Sequence, residues 1–174
     1  IRDSVFPDKE IDVPAPMSGR ISKLYVDENL MVVEGGLIAQ IDDRRAQSLR
    51  RLAEAKLAAA ELEATDNSAI LEAEATYALA KVEHQRNVEL LKTNAISPAE
   101  VDRTELASKQ AELRLQNRQK QFELAQKGLE IARLELADAE QEVEMHKLTA
   151  PGPGNIYTLF HEEGEWAVSY THLT

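Results

Sequence analysis

The sequence predicts a mainly α protein with a small β part: a long antiparallel two-helix coiled-coil hairpin inserted between two halves of a small β unit. Three observations carry this. Helix breakers crowd the two ends of the chain. A heptad repeat runs through the second half of the middle. The two ends resemble each other. Of six prolines only Pro98 lies between Met17 and Ala150, and of seven glycines only Gly128 lies between Leu37 and Pro151. Proline and glycine disrupt helix interiors, so the order is β, long helix, break, long helix, β.

The first end reads as short strands. Arg20-Ile21-Ser22-Lys23-Leu24-Tyr25-Val26 alternates polar and apolar residues, the period of a half-buried strand. Leu37-Ile38-Ala39-Gln40-Ile41 follows the turn at Glu34-Gly35-Gly36 and reads as a second strand. Asn155 to Phe160 reads as a strand at the other end. Ala15-Pro16-Met17-Ser18-Gly19-Arg20-Ile21 parallels Ala150-Pro151-Gly152-Pro153-Gly154-Asn155-Ile156. Two matched halves on either side of a long insert read as one split β unit, with Val26, Ile38, Ile41, Ile156 and Leu159 as its core.

The helical arms are expected from about Arg44 to Lys92 and from Pro98 to about Lys147. Similar lengths joined by a short link imply antiparallel pairing. In the second arm Val101, Ser108, Leu115, Phe122, Leu129, Leu136 and Val143 recur every seven residues. Thr104, Ala111, Arg118, Ala125, Ala132 and Ala139 fill the companion positions. A sustained heptad of this kind makes a left-handed coiled coil. The first arm is less regular. Leu52, Ala55, Ala59 and Leu62 form one spaced set, and Leu71, Ala75, Ala78 and Val82 another in a different phase. Thr65-Asp66-Asn67-Ser68 separates them. These weak helix formers compete for backbone hydrogen bonds, so a stutter, kink or break is expected there, with Phe122 facing Ala64 and Ser68.

The tip is expected near residues 93–97. Ser97-Pro98-Ala99-Glu100 has the pattern of a capping box with proline at the first helical position, and loss of such a cap costs about 1 kcal/mol. Ile96 and Val101 sit where a hydrophobic staple belongs. Asn94 can take a left-handed stop conformation.

Composition narrows the function. A net charge of −11 argues against nucleic acid, whose phosphates need a basic surface. With no cysteine there is neither a disulfide nor a thiolate metal site. No run reaches the roughly 18 apolar residues of a membrane span. The chain opens on Ile1-Arg2-Asp3 and is expected to be a fragment whose anchor or export signal lies upstream. No phosphate-binding loop, dinucleotide fingerprint or zinc-protease motif occurs. The chain is therefore not expected to be an enzyme, and no catalytic, cofactor or metal residue is assigned. His161-Glu162-Glu163 has ligand chemistry, but neighbours on a strand point to both faces and cannot converge. His146 falls on the alanine seam near the helix base, where a packed or frayed helix end is expected.

These features together resemble the membrane fusion proteins, or HlyD-type periplasmic adaptors, in which a lipoyl-like β domain is split by a long α-helical hairpin. The segment from Val13-Pro14-Ala15-Pro16-Met17-Ser18-Gly19 through Gly35 to Asp42 is similar to the family's first half-motif. Leu148-Thr149-Ala150-Pro151 through Glu163-Gly164-Glu165-Trp166 is similar to its second. Asn29 replaces the glycine that commonly follows the residue matching Glu28. The resemblance implies these divisions: 1–43 and 148–168 as lipoyl-like halves, 44–147 as the hairpin, and 169–174 as a truncated or non-native tail.

Arg86, Leu90 and Ser97 match the Arg, Leu and Ser spacing that many adaptors carry across the hairpin tip. The resemblance implies that these three dock on an outer-membrane TolC-like channel. It also implies an inner-membrane pump (ABC or proton-driven) as partner and self-association into a ring, a hexamer. The location it implies is the periplasm, with anchoring to the inner membrane through a segment absent from this chain. Two other readings remain open, a lipoyl or biotinyl carrier domain and a cytosolic coiled-coil scaffold. A carrier needs an exposed lysine at the turn between its halves, where this chain has Asp42-Asp43-Arg44 and then helix.

Overall fold

A computed structural model describes residues 11–168. The tail at 169–174 lies outside them. In chain order the elements are β1 (Gly19–Leu24), β2 (Met31–Val32), β3 (Leu37–Ile41), α1 (Arg44–Thr65), α2 (Ser68–Lys92), α3 (Pro98–Met145), β4 (Lys147–Thr149), β5 (Gly154–Asn155) and β6 (Trp166–Ala167). The described residues form two compact units, one made of 11–52 with 137–168 and the other of 53–136.

The first unit holds both sheets, and each sheet joins strands from the two ends of the chain. One has the order β4-β3-β1-β6 and the other pairs β2 with β5. All pairings are antiparallel. Val26, Ile38, Ala39 and Ala150 form the buried cluster, with Ile156 and Leu159 packed half-buried against it. Ile41 is buried as well. The expected core is thus in place, and Ala39 and Ala150 extend it.

The strand expected over Arg20–Val26 begins at Gly19 and ends at Leu24. Its alternation is interrupted by a register shift between Ile21 and Lys23. Such a bulge leaves one residue unpaired and turns the side chains that follow, so Ser22 and Lys23 are both exposed while Val26 is buried. The strand expected over 155–160 is shorter still. β5 ends at Asn155. The ladder goes one residue further, with the Asn29 amide donating to the Ile156 carbonyl at 2.7 Å and the Ile156 amide to Leu30 at 3.0 Å. Beyond that the Leu159 amide donates to the Glu28 carboxylate instead. Asn29 takes φ of 67°, a left-handed geometry that glycine adopts freely and asparagine tolerates. Gly35 and Gly164 have φ of 75° and 90° and precede β3 and β6, so the two halves repeat the same turn.

The second arm stops two residues before the expected end. The Ile41 amide donates to the His146 carbonyl at 2.8 Å, and Lys147 pairs with Gln40 in the sheet. His146 is itself buried, its Nδ1 lying 2.7 Å from the Glu142 carbonyl.

The second unit contains most of the hairpin. Every expected heptad position of α3 from Val101 to Val143 is at least half-buried. Among the companion positions only Arg118 is exposed. The first arm differs from expectation. Leu52, Leu62, Leu71 and Val82 are all exposed, as are Ala55, Ala59, Ala75 and Ala78. The protected residues are Ala53, Leu57, Ala60 and Ala64 before the break and Ile70, Ala73, Tyr77, Ala80, His84 and Leu91 after it. Both sets keep the three-four spacing. The protected face of the first arm mixes alanines with Leu57, Ile70, Tyr77 and Leu91, and it packs towards the row of Leu115, Phe122, Leu129 and Leu136 on α3.

The expected break is present at Asp66–Asn67. Thr65 Oγ1 donates back to the Glu61 carbonyl at 2.8 Å. The Ser68 amide donates to Asp66 Oδ1 at 3.0 Å, and bonding from Ser68 holds the Asp66 carboxyl below the usual carboxylate range. Phe122 lies opposite Leu62, Ala69 and Ile70 in an open groove beside this break. Ser68 is exposed and does not line it.

Candidate functional site: the hairpin tip

Arg86, Leu90 and Ser97 lie at or near the closed end of the hairpin, on α2 and the turn that follows it. Arg86 and Leu90 are one turn apart on α2 and share a face. Both are exposed, Leu90 at 37%. The seam near the tip runs through Asn87, Val88 and Leu91, and Leu90 lies outside it. Its side chain reaches solvent because the heptad phase is set by Ile70, Tyr77, His84 and Leu91. Ser97 is exposed just before α3. Among the described residues no hydrogen bond or ion pair joins these three side chains.

What holds them is the backbone of the turn. The Asn94 amide donates to the Leu91 carbonyl at 2.9 Å and the Ala95 amide to the Leu90 carbonyl at 3.0 Å. With Asn94 at φ of 55°, this is the Schellman closure of a helix C-terminus. Thr93 Oγ1 also donates to the Leu90 carbonyl, at 2.9 Å. The Leu90 and Leu91 carbonyls at the end of α2 are satisfied in this way.

The start of α3 departs from the expected capping box. The Glu100 amide donates to the backbone carbonyl of Ser97 at 3.1 Å, not to its hydroxyl. The Glu100 carboxylate lies 3.9 Å from Arg103 instead of reaching back. A tight first turn satisfies that amide and leaves the Ser97 hydroxyl facing solvent. Ile96 and Val101, the staple residues, are both half-buried. Lys92 pairs with Glu89 at 2.7 Å.

Behind the tip the seam carries a polar pair that the sequence did not single out. His84 Nδ1 lies 3.4 Å from Thr104 Oγ1 across the two arms, and Thr104 is buried. The seven-residue series of Ile70, Tyr77, His84 and Leu91 was the available signal. The stronger apolar set of Leu71 and Val82 obscured it. At the other end of the chain, His161 Nδ1 lies 3.4 Å from the Glu165 carboxylate. Bonds from the Glu162 amide and from His161 hold that carboxyl below its usual range. This is an exposed loop pairing. No group of three potential metal ligands occurs among the described residues, and none of their helices is long and apolar enough to cross a membrane.

No family model matches the sequence, and no curated protein matches it significantly. Solved structures do. MacA from Actinobacillus actinomycetemcomitans is 25% identical with a TM-score of 0.61, and the match covers 92% of this chain and 45% of that one. A MacA–MexA chimeric protein containing the Pseudomonas aeruginosa MexA α-hairpin domain is 22% identical with a TM-score of 0.50, covering 92% and 43%. The periplasmic adaptor protein EmrA is 17% identical with a TM-score of 0.42, covering 91% and 68%. This chain thus spans less than half the length of the MacA structure it matches.

Proposed function

We propose that this chain, which has the architecture of the membrane fusion or periplasmic adaptor proteins, is the hairpin-bearing part of an adaptor that links an inner-membrane transporter to an outer-membrane duct in efflux or secretion. The observation that carries this is the assembly of each sheet from both ends of the chain, with a long antiparallel hairpin between them. On this reading residues 1–43 and 148–168 are the two lipoyl-like halves and 44–147 is the hairpin. The chain works in the periplasm as a mechanical linker, not as an enzyme, anchored at the inner membrane through a segment outside this sequence. Copies associate into a ring, which we take to be a hexamer.

The tip docks the duct through Arg86, Leu90 and Ser97. Arg86 presents several guanidinium donors to carbonyls or carboxylates. Leu90 offers a half-open apolar anchor one turn away. The Ser97 hydroxyl adds a small polar group at the closed end. The Schellman turn limits the conformational freedom lost on docking.

The test is export by the full-length protein carrying Arg86→Asp, with Glu130→Arg on the exposed side of α3 as control. Substitution of an exposed helix residue rarely changes stability by more than about 0.5 kcal/mol, so melting should be unchanged in both. Arg86→Asp should abolish export and the control should retain it. Equal export by the two variants would remove the docking role.

A further inference from the structure

Both arms of the hairpin are weakened at nearly the same level. The first arm breaks at Asp66–Asn67, and Asn67, at the cap position of α2, makes no side-chain capping bond. The protected face of that arm passes from Ala64 to Ile70, one residue short of a heptad, while the seam of α3 runs on unbroken. The second arm carries its only glycine, Gly128, close by. The pairs His84–Thr104 and Lys56–Glu135 set the levels across the hairpin. By those levels Gly128 lies opposite Leu62, about one helical turn from the break. Glycine weakens a helix interior relative to alanine. Neither backbone geometry nor packing calls for it here. Gly128 is exposed, its φ is not left-handed, and a β-carbon would meet nothing within 4 Å.

The arms are also poorly closed at this level. Two adjoining hollows of about 450 and 500 Å³ share Ala69, Arg118 and Gln121. Arg118 holds a companion position of the α3 seam and is the one such position that is exposed. Its Nη1 donates to Gln121 Oε1 on its own helix at 2.9 Å. Glu63 and Asp66 border the same hollow from the first arm. Asp66 Oδ1 accepts from the Ser68 amide. A cation and two carboxylates from opposite arms thus line one open space, and each bonds elsewhere or faces solvent.

We propose that the hairpin bends at this level. It moves between the open form of the structure and a closed form in which the hollows narrow and the Arg118 guanidinium leaves Gln121 for Glu63 and Asp66. The first arm yields at two residues already outside its helices, and α3 yields at Gly128. Hinges are commonly a few residues at the ends of elements. The segments on either side stay stiff, because Ala53, Leu57 and Ala60 pack below the break and Tyr77, Ala80 and Leu91 above it. A change of heptad phase explains a break on one arm but not a glycine on the other. The ion pair of the closed form is exposed, so it is weak and screened by salt, as a reversible latch requires. A tip carried on this hinge can follow a moving partner. The hinge goes beyond the docking role proposed above and does not depend on it.

The chain has no cysteine, so paired spin labels test this directly. Ala58→Cys with Ala78→Cys spans the break, with the labels about 30 Å apart along the arm. Asp102→Cys with Gln116→Cys lies wholly on the tip side and serves as control. All four positions are exposed. Pulsed electron–electron distance measurements should give two populations for the spanning pair and one for the control. Arg118→Gln should reduce the second population several-fold, and high salt should do the same. Arg118→Lys should retain most of it. Gly128→Ala fills open space, so the variant should fold with unchanged helicity and narrow the spanning distribution. A single population for the spanning pair, as narrow as the control, would overturn the hinge. Two populations indifferent to both Arg118→Gln and Gly128→Ala would overturn it as well.

Discussion

Gly19 and Ile41 are in contact across β1 and β3 so closely that a β-carbon on Gly19 would lie 2.5 Å from Ile41 Cγ2. Ile41 is only 2% exposed and cannot swing away. The glycine in the Met17-Ser18-Gly19 turn is therefore required by packing, since its φ is not in the left-handed region. Gly19→Ala should destabilise the chain by about 1–3 kcal/mol, the usual cost of overpacking. Adding Ile41→Leu, which removes the offending branch methyl, should recover part of the loss in a denaturant titration.

The two apolar sets on the first arm can be told apart by substitution. Ala111 on α3 is buried in the seam, at 6% exposure. Ala111→Leu should force the arms apart and cost about 1–3 kcal/mol. Leu71, which sequence spacing placed in the seam, is 56% exposed. Leu71→Ala should change stability by no more than about 0.5 kcal/mol in a denaturant titration. A larger loss at Leu71 than at Ala111 would place the seam where the sequence had put it.

Asn94 holds the tip in a left-handed conformation. A residue with a β-carbon and no local polar group pays about 1–2 kcal/mol there, whereas glycine pays nothing sterically. Asn94→Ala should therefore speed hydrogen exchange at the amides of Asn94 and Ala95, and Asn94→Gly should not. Exchange unchanged in Asn94→Ala would mean that the closure does not depend on that geometry.

At the start of α1, the Arg44 guanidinium donates to Asp42, with Nε 2.9 Å from Oδ1. The Arg44 amide donates to the same oxygen. These bonds, the side-chain one foremost, lower the Asp42 carboxyl from its ordinary 3.8 to about 2. A carboxyl depressed in the folded state contributes stability that is present above 3.8 and lost as pH falls through about 2. Proton titration followed by NMR should place the Asp42 transition near that lower value. Arg44→Ala should move it back towards the ordinary one. Asp42→Asn should flatten the stability profile within that acid window.

Much of the architecture was legible in residue spacing alone. The heptad from Val101 to Val143, the breaker-free middle, the stop at Thr93–Asn94 and the paired Ala-Pro turns depend on local chemistry or on one regular period. The weak helix formers at Thr65–Ser68 marked the break for the same reason. The capping box was less legible. Ser97 and Glu100 are present, but the amide they would share is already satisfied by a backbone carbonyl.

The face of the first arm that makes the seam was decided only by tertiary structure. That arm carries two apolar sets, and alanine makes up about half of each. Either satisfies the three-four spacing, so spacing along this arm does not choose between them. The second arm settles the choice, because its own seam is filled by Leu115, Phe122, Leu129 and Leu136. The set that packs against it mixes Ala53, Ala60, Ala64, Ala73 and Ala80 with Leu57, Ile70, Tyr77 and Leu91, small residues among large ones. A spacing pattern read along one helix does not contain the volume that the facing helix leaves to be filled.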